Sequence, residues 1–144
     1  MNPSMEFANK TALAYSMACK PLCQEFRLPQ TAFDNLMFLG NNPAYTMARD
    51  IVEVRHIKAN LVSVNVDKLV QEGYLVRRAV VGDRRKTELL CTEKAELVIA
   101  QGRRMQEEFF RCLMEGVDEA QLEAFHRTLE MMGRNLDRML EGES

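Results

Sequence analysis

Residues 73–92 read GYLVRRAVVGDRRKTELLCT. Two runs of strand-forming residues, Leu75–Val80 and Lys86–Cys91, flank a tip holding Gly82, Asp83, Arg84, Arg85 and Lys86. Such runs on either side of a glycine turn predict a β-hairpin, and Gly82 permits the tight reversal. A cationic hairpin tip directly after a helix has the makings of a nucleic-acid grip: the helix lies in a groove while the tip reaches a backbone or the minor groove.

The stretch before it, Ile57–Glu72, carries two periodicities. Val62, Val64 and Val66 alternate with polar residues, as in a strand. Val62, Val66, Leu69 and Val70 fall at i, i+4, i+7 and i+8, as on a helix. Length favours the helix, and Gly73 is a natural stop. On that helix Val64 lies opposite the apolar stripe, beside Asn60, Ser63 and Asn65. Small apolar groups can meet thymine methyls and amides can pair with adenine. An ordinary helix with a few exposed small residues has the same pattern.

Charge distribution sharpens the reading. The chain totals −2, yet residues 55–86 hold eight Lys/Arg against three acids, a local +5 that leaves −7 for the rest. Affinity for phosphates follows the local patch, not the sum.

Working outward, residues 5–27 predict a helix that Pro21 should kink or split. Pro29 opens a second helix with Phe33, Leu36, Met37 and Leu39 inward, ended by Gly40-Asn41-Asn42-Pro43. Thr46 is placed to cap a third, through about Val54. Thr92 is placed to cap a long helix to about Glu115, and Asp118-x-x-Gln121 forms a capping-box variant before a last one. There Leu122, Phe125, Leu129, Met132, Leu136 and Met139 step by three and four, a heptad-like seam. The seam suits a partner copy; burial in a monomer core is the other reading.

At 144 residues and 47% hydrophobic, the chain is sized for one domain with a real core. No apolar run reaches the ~18–20 residues of a membrane span. MNPSMEFANK lacks the form of a secretion signal, so a cytoplasmic protein without membrane association is expected. Cys19, Cys23, Cys91 and Cys112 match no disulfide scaffold, and His56 and His126 are too remote to complete a metal site. No phosphate-cradling loop or nucleophile–base set is present, so neither cofactor, metal nor enzymatic activity is expected.

Four helices, a basic hairpin and two long helices together resemble the multiple-antibiotic-resistance-regulator (MarR) family of winged-helix transcription factors. The resemblance is sharpest in LVSVNVDKLVQEGYLVRR (residues 61–78), similar to the family's reading helix and first wing strand, and in GDRRKTELLCT (residues 82–92), similar to its wing and the entry to the next helix. It implies a mainly α fold with a two- to three-stranded β wing. Residues 1–144 would form a single unit, with a winged helix-turn-helix DNA-binding part at about 29–91 and helical dimerisation parts at about 5–27 and 92–141.

The resemblance also implies roles. Ala59, Asn60, Ser63 and Val64 would face bases, and Lys58 and Asn65 phosphates. Arg84, Arg85 and Lys86 would grip from the wing tip, with Asp83 orienting it through a local ion pair. The implied partners are a second copy, a pseudo-palindromic double-stranded operator and an unidentified small-molecule effector that releases a repressor. Tyr15, Met17, Phe33, Met37 and Phe109 could line the effector pocket. Two alternatives remain: a thiol-based redox regulator, in which Lys20 would favour the Cys19 thiolate, and a protein-interaction module of this fold without DNA binding. His56 stands where the family commonly has glycine, Arg55 where it commonly has an apolar residue.

Overall fold

The computed structural model describes residues 2–142. In chain order it contains α1 (Pro3–Phe26), α2 (Gln30–Asn41), α3 (Ala48–Arg55), α4 (Ala59–Gln71), β1 (Leu75–Val80), β2 (Asp83–Cys91), α5 (Glu93–Leu113) and α6 (Glu119–Glu141). The fold is mainly α with a small antiparallel hairpin. Residues 1–109 and 110–144 form two compact units.

In the first unit one core gathers every element. Phe33, Leu36 and Met37 of α2, Ile51 of α3, Val62 and Leu69 of α4, Leu75 of β1 and Val98 and Ile99 of α5 are almost fully buried. Each such side chain is worth about 1.5–3 kcal/mol of transfer free energy. The α2 stripe read from the sequence is this core's centre. The ambiguous stretch is a helix, and its buried residues Val62, Val66 and Leu69 are those of the 3.6-residue pattern.

Local corrections have physical causes. Pro21 does not split α1, which continues to Phe26. Met17 and Pro21 are both exposed, so water can serve the carbonyl that the missing N–H leaves open. Thr46 does not cap α3; the Asp50 carboxylate does, accepting from the Thr46 and Met47 backbone N–H groups at 3.1 and 3.0 Å. Pro29 is the N-cap of α2 and not a first-turn residue, so the helix begins one residue later than expected, at Gln30. Thr92 sits at the head of α5, accepting from Ala95 N–H at 3.3 Å while its hydroxyl lies 2.6 Å from the Gly73 carbonyl.

In the second unit α6 starts on the expected capping box: Asp118 accepts from Gln121 N–H at 2.8 Å, and Gln121 Oε1 accepts from Asp118 N–H at 3.0 Å. No α6 residue is buried. Phe125, Leu129, Met132, Leu136 and Met139 are all exposed, so the seam fills no core within this unit. No described helix is long and apolar enough to cross a membrane.

Candidate nucleic-acid interface

The interface candidate is built from α3, the turn after it, α4 and the hairpin. Arg55 ends α3 and His56 follows with φ 54°, the left-handed conformation that favours glycine. This backbone reversal is what turns the chain from α3 into α4. Histidine is among the non-glycine residues that tolerate it better than most.

α4 presents one exposed face. Ala59, Asn60, Ser63 and Val64 all lie on it, with Val64 64% exposed. Lys58, the N-cap, is exposed beside them. Leu61 shares the face and was not anticipated. Asn65 is a correction: expected beside a phosphate, it is 5% exposed, and its Oδ1 accepts from the Thr31 hydroxyl at 3.3 Å. The signal was present, because position 65 stands three after Val62 and four before Leu69, squarely on the inward stripe.

The hairpin differs from expectation at its tip. β2 begins at Asp83, three residues earlier than read, leaving only Val81 and Gly82 in the turn. Gly82 takes φ 88°. Pairing runs regularly from Leu75↔Cys91 to Ala79↔Thr87, then jumps to Val80↔Asp83. Arg84, Arg85 and Lys86 are therefore an outward bulge on β2, all three exposed. A bulge re-aims side chains away from the ladder. Asp83 shapes it through the backbone, not through an ion pair: its carboxylate accepts from Arg85 N–H at 3.0 Å.

The wing's cations divide into two sets. Arg77 is held by Asp67 of α4, and Arg78 by Glu88 across the hairpin at 2.8 Å. No carboxylate among the described residues pairs with Arg84, Arg85, Lys86 or Lys58. The Arg77–Asp67 pair ties the hairpin to α4, a link that sequence reasoning missed. At its other end the hairpin is anchored by Leu89 N–H to the Thr46 carbonyl, 2.6 Å, and by Thr92 N–H to the Tyr74 carbonyl, 3.1 Å. Between α3, α4 and the wing lies a hollow of about 360 Å³ bordered by Ala59, Ser63, Arg49 and Arg77.

The expected effector-pocket residues do not all converge. Tyr15 and Met37 line a cleft of about 430 Å³ in the first unit, with Gln30, Asp34, Phe38 and Arg55. Phe109 packs edge-on against Tyr15, ring centres 5.3 Å apart. Met17 does not line the cleft and is 67% exposed, whereas Phe33 is wholly inside the core. Tyr15 accepts from Gln106 at 2.8 Å, yet burial pushes its phenol up to about 12. Burial also pushes the Cys19 thiol up to about 11 and raises Cys23. With burial dominant, the thiolate needed for a peroxide-reactive cysteine is disfavoured at both positions.

Comparison with known proteins agrees with this geometry. A MarR-family model matches residues 28–86, which span α2, α3, α4 and most of the hairpin. Among curated proteins none matches. Among solved structures, the transcriptional regulator SlyA aligns at TM-score 0.86 and 16% identity, over 99% of this chain and 100% of that one. A MarR protein from Peptoclostridium difficile aligns at 0.83 and 16%, over 100% and 93%. A MarR-family transcriptional regulator from Listeria monocytogenes, complexed with a 26mer DNA, aligns at 0.82 and 16%, over 94% and 89%. The family model thus lies on the segment that carries α2, α3, α4 and most of the hairpin, and the solved regulators share this chain's fold along nearly its whole length.

Proposed function

We propose that the protein is a homodimeric, sequence-specific DNA-binding repressor that a small molecule releases from its operator, and that it works in the cytosol rather than as a catalyst. The observation that carries the DNA-binding part is the division of wing charges: Arg77 and Arg78 are spent on Asp67 and Glu88, while Arg84, Arg85 and Lys86 project unpaired from a bulge beside the exposed face of α4. Free cations at that place bind phosphates or a narrow minor groove. Ala59, Asn60, Ser63 and Val64 then meet base edges, and Lys58 a phosphate. Asn65 holds α4 against α2 instead. The exposed α6 seam supports pairing of two copies, and a two-fold dimer reads half-sites about one helical turn apart.

The reading is tested with DNA from upstream of the gene, in gel-shift and anisotropy titrations. Asn60→Ala or Ser63→Ala is expected to cost about 1–3 kcal/mol on the preferred sequence and little on random DNA. Equal loss on both would take α4 out of base recognition. A salt-insensitive or absent complex at low ionic strength would favour an interaction module without DNA binding.

A further inference from the structure

The apex of the hairpin is apolar, and nothing in the fold accounts for that. Val81 is 100% exposed; Met17, the next most exposed large hydrophobic side chain among the described residues, reaches 67%. Val81 stands first in the two-residue turn Val81-Gly82, which the Val80↔Asp83 pair closes. Glycine, proline, asparagine, aspartate and serine dominate such turns because they set the backbone angles or bond the backbone. Valine does neither, and its surface lies wholly in water, so no burial compensates.

The knob is nevertheless firm. Gly82 takes the left-handed conformation, φ 88°, and spares Val81 from it. Branching at Cβ holds the isopropyl group to few rotamers. Cations stand next to it: Arg84, Arg85 and Lys86 are exposed on the adjoining bulge. The neighbouring carboxylate, Asp83, is engaged by Arg85 N–H at 3.0 Å. The apex is thus a stiff apolar point beside positive charge.

Taking the protein as a DNA-binding regulator, as proposed above, we infer that Val81 is a specificity-determining residue of the wing: it seats on the minor-groove floor, accepts A·T pairs and rejects G·C pairs. The minor groove is about 6 Å wide, so a single isopropyl group enters where a broader surface does not. An A·T pair offers only acceptors there, and Arg84 and Arg85 on the adjoining bulge are donors for them. A G·C pair adds the guanine N2 amino group, a donor. Pressed against an isopropyl group, that donor loses its water and gains no acceptor, and an unmade bond costs more than an ordinary one returns. Apolar side chains set into this groove are a recurrent device of proteins that bind there. Cations respond to the width and potential of the groove. Val81 responds to the amino group itself.

The test uses a duplex from upstream of the gene and the full chain. The outermost minor-groove segment protected in a hydroxyl-radical footprint is filled in turn with A·T, G·C or inosine·C pairs. Inosine lacks the N2 amino group and keeps the major-groove face of guanine. By anisotropy the parent is expected to bind the A·T and inosine·C duplexes alike and the G·C duplex about tenfold more weakly. Val81→Thr keeps the shape and adds a hydroxyl that accepts from the amino group. It is expected to narrow the gap to about twofold while keeping the parent's salt slope and melting temperature. Arg85→Ala is expected to weaken all three complexes and leave their order unchanged. A gap that survives Val81→Thr, a parent that treats inosine·C as it treats G·C, or no gap at all would each overturn the assignment. A gap lost in Arg85→Ala and kept in Val81→Thr would hand the discrimination to charge and overturn it too. In all of these cases a salt-sensitive complex leaves the DNA-binding reading standing. No salt-sensitive complex with any of the three duplexes would refute that reading and the role of Val81 together.

Discussion

Removing the free cations of the wing, by Arg84→Ala, Arg85→Ala and Lys86→Ala together, is expected to change how DNA binding depends on salt more than it changes anything else. The magnitude follows from the ion-pair pattern. Each protomer offers four exposed cations without a carboxylate partner on the proposed face: Lys58, Arg84, Arg85 and Lys86. A two-fold dimer thus neutralises roughly eight phosphates, for a slope of log K against log salt of about −7. The triple variant keeps only Lys58 on each side, for a slope of about −2. A fourfold rise in salt therefore weakens the parent roughly ten-thousand-fold and the variant only about tenfold. Fluorescence anisotropy over a salt series measures both slopes, and circular dichroism checks that the exposed bulge can be stripped without loss of fold. Arg78→Ala is the control, since its partner is Glu88 and no phosphate contact is lost. A triple variant with the parent's slope, or an Arg78→Ala slope reduced as much as that of Arg85→Ala, would refute the division of wing charges.

Two further expectations concern the core and the cleft. An Ala Cβ at Gly40 would lie 2.8–3.0 Å from three atoms of Ile99, a stiff β-branched side chain that is wholly buried. Overpacking of about 1–3 kcal/mol outweighs a helix-propensity gain of at most ~1 kcal/mol. Gly40→Ala is thus expected to lower the urea midpoint, and in an Ile99→Ala background to cost nothing; equal cost in both backgrounds would place the strain elsewhere. The second expectation is a loss of stability in alkali. Tyr15 and Cys19 hold their protons more tightly folded than unfolded, about 12 against 10.0 and about 11 against 9.0. Their contribution is full below pH 9 and disappears as pH rises through about 11 to 12. Denaturation midpoints from neutral pH upward measure it, and Cys19→Ala is expected to flatten the lower part of the fall; an unaltered profile would mean that the thiol is not tied to folding.

Much of this fold was legible because its signals are local. The i, i+4, i+7 spacing of Val62, Val66 and Leu69 identified α4 against a competing strand pattern, and the same spacing sent Val64 to the surface. The Asp118–Gln121 box is a four-residue motif and was readable as such. What escaped the sequence depends on contacts between distant segments. Nothing near Arg77 marks it as the partner of Asp67, ten residues away on another element. The bulge at Arg84–Lys86 arises from a mismatch in strand lengths around the turn, and composition carries no trace of that. Met17 and Phe33 were grouped by residue type, yet one faces water and the other the core. Asn65 was misplaced for a different reason: its polarity outweighed a helical position that already pointed inward.

The arrangement of charges also explains how one small hairpin can be both rigid and adaptable. Its base is tied down by Thr92, by the Leu89–Thr46 backbone link and by Lys94, whose ammonium reaches the Glu72 carbonyl at 2.7 Å and lies 4.5 Å from the Tyr74 ring centre. Its middle is held to α4 through Arg77 and Asp67. Those ties fix the angle between wing and α4, so under the proposed function little orientational entropy is lost at that joint when DNA binds. Beyond them only a two-residue turn and a bulge remain. On the proposed reading, that leaves Arg84, Arg85 and Lys86 free to follow a groove whose width varies with sequence. Had Arg77 and Arg78 also been unpaired, the patch would carry more charge but hold the wing less firmly. A mobile cationic arm adds affinity for any duplex; a tethered one, set at a fixed angle to the proposed base-reading residues Asn60 and Ser63, would let backbone contacts select the register in which bases are read.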